Sequence, residues 1–198
     1  MIKISLRNKI YAVSLSIFSL VLIGCAALGT KTVYKAQDFG FTKLTRIGFS
    51  QIVNEDALNR IRPNTSTLFE SAFKKYFQGK PYTVEVYRLS KLYSLDSADT
   101  SEIQQLCSDH SLDAYICTQI RYKFVNNTYM FIPLGKSEDA YVEMKMFNRK
   151  GELAIQTKHN TSAGNSYMMP PKAEQTIEDG TFGALKRIFK EIDKSRNQ

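Results

Sequence analysis

AYVEMKMFNRKGELAIQT, residues 140–157, has a clear strand–turn–strand pattern. Every second residue from Val142 to Met146 is apolar, which is typical of a β-strand with a buried face. Asn148 to Gly151 then forms a short turn, with glycine where the backbone needs a left-handed conformation. Apolar alternation resumes from Leu153 to Thr157. The stretch therefore predicts an antiparallel hairpin.

The residues before this hairpin predict further antiparallel strands. Leu112 to Val125 is a long run suited to a strand. Asn126-Asn127 is a turn signal, and Thr128 to Ile132 is expected to pair back. Pro133 and Gly135 are expected to end that ribbon. The second half of the sheet is thus predicted to be an antiparallel meander.

The first half of the chain alternates between strands and helices. Strands are predicted over 45–50 and 82–89, and 53–62 is interpreted as a loop. A helix is expected to begin either at Pro63-Asn64 or at a capping box formed by Thr67 and Glu70. Glycine and proline after residue 78 stop that helix. Its apolar stripe consists of Leu68, Phe69, Ala72, Phe73 and Tyr76.

Two more helices follow from capping and periodicity. Asp99 and Glu102 have capping-box spacing, and the apolar face behind them comprises Ile103, Leu106, Cys107 and His110. The last helix is predicted to begin at Pro170-Pro171. Its stripe consists of Ile177, Gly180, Ala184, Ile188 and Ile192, flanked by Leu185 and Phe189. The two small residues of this stripe allow the helix to lie close to a sheet.

These elements predict an α+β fold, an αβ sandwich. One mixed sheet of about five or six strands carries about three helices, packed mainly on one face. The first three strands are expected to be parallel, joined by right-handed crossovers. Residues 43–198 are assigned to this single domain.

The amino terminus has the layout of a signal peptide over residues 1–24. Lys3, Arg7 and Lys9 form a basic start, and an apolar run extends from Ile10 to Ile23. A run of roughly 14 residues is too short to span a bilayer, which needs about 20. The basic start, the short apolar run and the small residues at its end favour a cleaved signal.

Leu22-Ile23-Gly24-Cys25 resembles the lipobox of bacterial lipoproteins. The resemblance implies cleavage before Cys25 and lipidation of that cysteine. The alternative is an ordinary signal peptide cut near Ala26-Ala27. Because Ala26 follows the cysteine, the family rule implies transport to the outer membrane, facing the periplasm. Residues 25–42 are then the lipidated cysteine and a tether, in which Ala26 to Phe39 shows no periodicity.

The order of elements resembles the αβ domain shared by curli-export lipoproteins, the amino-terminal domain of TolB and the lipoprotein activators of penicillin-binding proteins. The resemblance covers about Lys43 to Asp193. Local similarity lies in Leu112 to Ile116, after a helix, and in Asn148 to Leu153, in a hairpin. This fold implies partner binding in the cell envelope, and no functional residue of the family is carried over.

Charge argues against nucleic acid as a partner. The chain has 27 basic and 19 acidic residues, and removal of three basic residues with the signal leaves 24 against 19, or +5. These charges are spread along the chain and form no basic run. Membrane contact through the lipid at Cys25 and an envelope protein or peptidoglycan partner are expected, and an oligomer is an open alternative.

Few residues offer catalytic or metal chemistry, and no cofactor or metal is predicted. Ser108, Asp109 and His110 are adjacent on a helix and point in different directions, so they cannot form a triad. The other histidine, His159, ends a strand. Cys107 and Cys117 are predicted to be two free, buried thiols, because a helix end and a mid-strand position are too far apart for a disulfide. The acidic residues Asp96, Asp99, Glu102 and Asp109 are interpreted as caps and surface charges.

Two segments rich in aromatic residues and methionine are the candidate contact surface. Tyr129 and Phe131 lie on the predicted ribbon, and Tyr167 and Met168 precede the last helix. The sequence therefore predicts a non-enzymatic binding or assembly subunit of the envelope. One alternative is a homo-oligomeric export or secretion component. Another is an envelope glycan hydrolase, since two carboxylates suffice for that reaction.

Overall fold

The computed structural model describes residues 29–37, 44–129, 132–163 and 173–196. Its strands are β1 (Gly29–Lys35), β2 (Arg46–Ile52), β3 (Thr83–Val86), β4 (Ala114–Tyr129), β5 (Ile132–Asn148) and β6 (Leu153–Ala163). Its helices are α1 (Glu55–Ile61), α2 (Thr65–Phe77), α3 (Thr100–Asp109) and α4 (Ala173–Arg196), with a short 3-10 helix at Leu95–Ser97.

All six strands form one mixed sheet, in the order β1-β6-β5-β4-β2-β3. β2 runs parallel to both β3 and β4, whereas β4, β5, β6 and β1 pair antiparallel in turn. The predicted α+β class, the mixed sheet and the antiparallel meander are confirmed. The described part of the chain has four α-helices, one more than predicted.

The two faces of the sheet are covered unequally. Side chains of α1, α2 and α4 pack with the sheet into the main core. α3 and the 3-10 helix form a smaller core with the opposite face. The helices therefore lie mainly on one face, as predicted. The largest side chains buried in the main core are Phe49, Phe69, Phe73, Ile47, Ile52, Ile116, Met144, Met146 and Ile155.

The predicted stripe of α2 forms the aromatic part of the main core. The ring of Phe73 stacks on that of Phe49 in β2, with centroids 4.1 Å apart, and Phe69 meets Phe49 edge-on at 6.1 Å. Offset-stacked and edge-on contacts of this kind add to the stability that burial supplies. Phe77 extends the stripe and contacts Phe189 of α4 at 5.3 Å. These rings join α2, α4 and the sheet.

The predicted stripe of α4 is also buried, and glycine is required within it. A Cβ atom on Gly180 would lie 2.5 Å from Cγ2 of Val142 in β5, closer than any real contact. Val142 is itself fully buried. The absence of a side chain at Gly180 therefore sets the distance between α4 and the sheet.

The starts of α3 and α2 test the two predicted capping boxes. Asp99 caps α3, as predicted, because its carboxylate accepts hydrogen bonds from the backbone N–H groups of Ser101 and Glu102. The predicted return bond is absent, since Glu102 instead accepts from the N–H and the hydroxyl of Ser90. The capping box at Thr67 is wrong. The other predicted start is confirmed: α2 begins at Thr65, directly after Pro63-Asn64, with Asn64 in the left-handed conformation and no side chain capping the helix.

The tether predicted over 26–39 is wrong for Gly29–Lys35, which form edge strand β1 on β6. Thr30 Oγ1 lies 2.6 Å from Nδ1 of His159, and Arg187 donates to Thr32 Oγ1 at 2.6 Å. Polar contacts with β6 and α4, rather than an apolar pattern, hold this strand in place. Sequence periodicity could not detect it.

The loop predicted over 53–62 is also wrong in part, because residues Glu55–Ile61 form helix α1. This helix has seven residues and no side-chain cap, and Leu58 is its buried residue. So short a helix cannot show an apolar period, and its stability comes from packing against α2.

Candidate partner-binding surface

The predicted contact residues lie at the end of a long hairpin or outside the described residues. The backbone of Tyr129 ends β4 opposite Ile132, at the last pair of the β4–β5 ladder. The side chain of Tyr129 is not among those the structure describes. Phe131, Tyr167, Met168 and the lipobox residue Cys25 lie outside the described residues. The candidate contact surface therefore stays a prediction at these positions.

The hairpin is longer than predicted. Asn126 and Asn127 do not form its turn, because they pair within the ladder with Lys136 and Gly135. Pro133 also belongs to the ladder and does not break it, since a shift of register between Asn127 and Thr128 accommodates it. Pairing across the whole hairpin outweighs the local turn signal of two asparagines.

The end of this hairpin extends past its neighbours in the sheet. β6 pairs with β5 only as far as Glu138, and β2 pairs with β4 only as far as Thr118. The pairs from Val125–Ser137 to Tyr129–Ile132 therefore form a two-stranded ribbon, about 15 Å long at the usual rise. Tyr129 is at the far end of this ribbon.

Next to the ribbon lies a part of the sheet surface that none of the described helices covers. α3 and the 3-10 helix cover the same side of the sheet only at its other end, around Tyr115, Cys117 and Phe147. We call the uncovered part the open face and define it by Gln119, Arg121, Tyr141, Glu143 and Lys158. These residues, with Tyr122 and Val142, line a surface cavity of about 390 Å³.

Hydrogen bonds and an ion pair, both within a strand and between adjacent strands, hold the polar side chains of the open face. Glu143 accepts a hydrogen bond from Gln156 and forms an ion pair with Lys158 at 3.2 Å. Arg121 Nη2 donates to Gln119 Oε1 at 2.7 Å. The side chains are thus arranged before any ligand arrives, which lowers the entropy lost on binding.

Arg121 and Tyr141 are exposed on the open face. They lie opposite each other in the β4–β5 ladder, and Tyr141 is 37% exposed. No ion pair forms between Arg121 and any carboxylate within the ranges described above. Lys31 of β1 lies opposite Lys158 and adds positive charge. The face therefore offers a tyrosine and an arginine, two residue types enriched in contact surfaces, within a cationic surrounding.

A buried lysine fixes the boundary between the open face and the covered end. Lys145 Nζ donates to Asp96 Oδ1 at 2.6 Å and to the carbonyl of Leu95 at 3.3 Å. Lys145 is 9% exposed, and its hydrogen bond and charge hold the pKa of the Asp96 carboxyl below its usual range. Lys145 thus attaches the 3-10 helix to the sheet. Sequence alternation alone did not indicate this structural role, because it places Lys145 among the polar positions of the strand.

An ion pair joins the two segments that carried the family resemblance. Asp113 accepts hydrogen bonds from Thr45 N at 2.7 Å, Thr45 Oγ1 at 2.9 Å and Arg46 N at 2.9 Å, and Arg149 donates to its other oxygen. Burial alone would raise the pKa of Asp113, but these hydrogen bonds outweigh it and lower that pKa. The start of β2, the start of β4 and the β5–β6 turn therefore meet at one carboxylate.

The histidines and cysteines serve the fold. The His110 ring stacks on Tyr87 with centroids 4.2 Å apart, and His159 is bonded to Thr30. Cys107 and Cys117 are free, as predicted, and burial raises the pKa of these thiols to about 11 and about 12. Among the described residues no group of three or more His, Cys, Asp or Glu could hold a metal ion. In the same ranges no helix is long and apolar enough to cross a membrane.

Comparison with known proteins relates this chain to others by fold. No protein-family model matches it, and no curated protein matches it. The PelC dodecamer from Paraburkholderia phytofirmans is similar over 79% of this chain and 94% of its own, with 7% identity and a TM-score of 0.51. Lipoprotein GNA1162 from Neisseria meningitidis matches 78% of this chain and 99% of its own, with 10% identity and a TM-score of 0.42. The likeness to PelC shows a shared fold. Membership of the three families suggested by element order stays a prediction.

Proposed function

We propose that this chain is an outer-membrane lipoprotein, anchored through lipidated Cys25 and facing the periplasm, that acts as a non-enzymatic binding or assembly subunit of the cell envelope. The anchor follows from the lipobox resemblance, and the mode of action from the open face. An envelope protein or peptidoglycan binds there and at the adjoining ribbon.

The observation that supports this proposal is the open face of the sheet. Tyr141 and Arg121 are held exposed by the ladder, beside a cavity of about 390 Å³. Covering that surface by a partner removes the tyrosine ring from water and gives Arg121 a counter-charge. Glu143 is the one carboxylate among the residues lining the cavity. The lining therefore supplies one carboxylate, whereas the glycan-hydrolase alternative depends on two.

Pull-down of the full-length lipoprotein from chemically cross-linked envelopes tests this function. Arg121→Glu, and separately Tyr129→Ser with Phe131→Ser, are expected to lose the cross-linked partner while the variants still fold. Lys190→Glu, on the exposed side of α4, is the matched control and keeps the partner. Equal recovery of partners by wild type, both test variants and the control would contradict a binding role for the open face and ribbon.

A homo-oligomeric export or secretion component is the second candidate, supported by the shared fold with PelC, which is a dodecamer. Light scattering of the detergent-extracted lipoprotein distinguishes the two candidates. A mass many times that of one chain favours the oligomer, and a mass near that of one chain favours the subunit that binds another partner.

A further inference from the structure

The second edge of the sheet carries a groove that is separate from the open face. Edge strand β3 is bordered by the last turns of α2, on the side of the sheet opposite the open face. The groove between them has a volume of about 520 Å³. It is lined by Ser71, Lys74, Lys75, Phe77, Gln78, Tyr82 and Val84.

The main chain of β3 presents unpaired groups to this groove. Thr83 N donates to Thr45 O and Tyr87 N donates to Phe49 O, both in the direction of β2. In a parallel ladder the groups that face one neighbour belong to alternate residues. The N–H and C=O groups of Val84 and Val86 therefore point away from β2, toward a side on which β3 pairs with none of the described strands. They are positioned to accept another strand.

The side chains of the groove supply apolar contact for such a strand. Val84 and Val86 are partly exposed and pack toward the main core, on the same side as α2. Phe77 and Tyr82 meet edge-on at 5.7 Å and form the floor. An added strand would place every second side chain over this floor, which is how peptide recognition at a sheet edge combines backbone bonds with side-chain pockets.

The charge of the groove selects the occupant. Lys74 and Lys75 are exposed lining residues, and no acidic residue lines the groove. Lys75 forms an ion pair with Glu178 of α4 at 2.6 Å, so Lys74 supplies the positive charge that a ligand would meet. A second copy of this chain fits poorly through β1, the other edge, because β1 carries the exposed Lys31. Pairing β3 with β3 of another copy would bring Lys74 of both copies together. Like charges at such contacts are unfavourable.

We propose that this groove binds an extended acidic segment of another protein, which adds to the sheet as a strand beside β3. The backbone bonds go to Val84 and Val86, the apolar contacts to Phe77 and Tyr82, and the acidic side chains to Lys74. Because β3 has only four residues, the added strand is short and the interaction is reversible.

Fluorescence anisotropy with the full-length chain in detergent tests this binding mode. The probe is a labelled peptide of about eight residues in which every second residue, on the groove-facing side, is valine and glutamate in turn, with threonine at the positions between them. Its lysine counterpart and a version N-methylated at alternate residues are the peptide controls. The acidic peptide is expected to bind at least about fivefold more tightly than either control, since each control removes charge attraction or backbone hydrogen bonds.

Two variants locate the binding. Val84→Pro removes an N–H that faces the groove and leaves the bonds between β3 and β2, so the affinity for the acidic peptide falls about fivefold or more. Lys74→Glu, matched with Lys186→Glu on α4, weakens the acidic peptide and strengthens the lysine peptide. Absence of binding, equal binding of the N-methylated peptide, or unchanged affinity in Lys74→Glu would overturn the proposal. Binding through the open face is unaffected by these outcomes.

Discussion

Asp113 shows how much of this fold depends on a single residue. Its carboxylate accepts two backbone hydrogen bonds and one hydroxyl bond from the start of β2, and it is 6% exposed. The sequence contains the aspartate after a helix and the arginine in a hairpin, but nothing in either segment indicates that they meet. Contact between residues this far apart depends on the assembled sheet.

We expect Asp113→Ala to lower the free energy of unfolding by about 3 kcal/mol, because it leaves two buried N–H groups without acceptors. Arg149→Ala is expected to cost under about 1 kcal/mol, since the arginine side chain is 64% exposed. Urea unfolding at neutral pH measures both. A larger loss for the arginine variant than for the aspartate variant would contradict this ranking.

His159 is expected to make the stability of the fold depend on pH below about pH 6.5. Burial lowers the pKa of His159 below its ordinary value of 6.5, and Asp179 opposes the shift only in part. The unfolded chain therefore takes up a proton at a higher pH than the folded chain. Stability from the neutral ring is complete above about pH 6.5 and is lost as the pH falls through the folded pKa, by at most about 1.4 kcal/mol per pH unit.

Comparison of wild type with His159→Gln between pH 7.5 and pH 5.5 isolates this effect, because the two proteins share every other titratable group. The wild type is expected to lose more stability than the variant over this interval. Asp113 and Asp96 have lowered pKa values and titrate only at more acidic pH. Parallel curves for the two proteins would show that His159 is not responsible.

Helix α4 can pack on the sheet because it approaches strand β5 closely at Gly180. Gly180→Ala gains about 1 kcal/mol of helix propensity but forces a methyl group into Val142, at a cost of about 1–3 kcal/mol. We expect a net loss of about 1 kcal/mol. Val142→Ala in the same chain makes room for the methyl group. Denaturant unfolding of both single variants and the double variant is expected to give a double-mutant loss about 1 kcal/mol smaller than the sum. Simple additivity would contradict the contact.

Elements with a strong pattern of their own could be predicted from the sequence, and those that depend on neighbours could not. α2, α3 and α4 have apolar stripes, and the capping residue Asp99 marks one start. β1 lacks such a stripe, because its Thr30 and Thr32 are held by His159 and Arg187. The predicted turn at Asn126-Asn127 is wrong, because pairing along the whole β4–β5 hairpin determines the register.

For the molecule as a whole, the prediction that helices pack mainly on one face led to the candidate site. A sheet covered on one side must leave part of the other side to water or to a partner. The predicted contact residue Tyr129 lies on the ribbon that continues this sheet. Arg121 and Tyr141 were not recognised in the sequence, because alternation shows that they face away from the main core but not that α3 leaves them uncovered.

A chain that acts by binding a partner at the open face must contact that partner there in the cell. Site-specific photocross-linking in intact cells measures this contact, with a photoreactive phenylalanine placed at Tyr141 and, as a control, at Tyr93. Both tyrosines are exposed, Tyr93 at 71% and Tyr141 at 37%, and Tyr93 lies away from the open face. We predict a discrete cross-linked species at Tyr141 that disappears with Arg121→Glu, and none of that size at Tyr93. No cross-link at Tyr141, or the same species from both positions, would contradict the account.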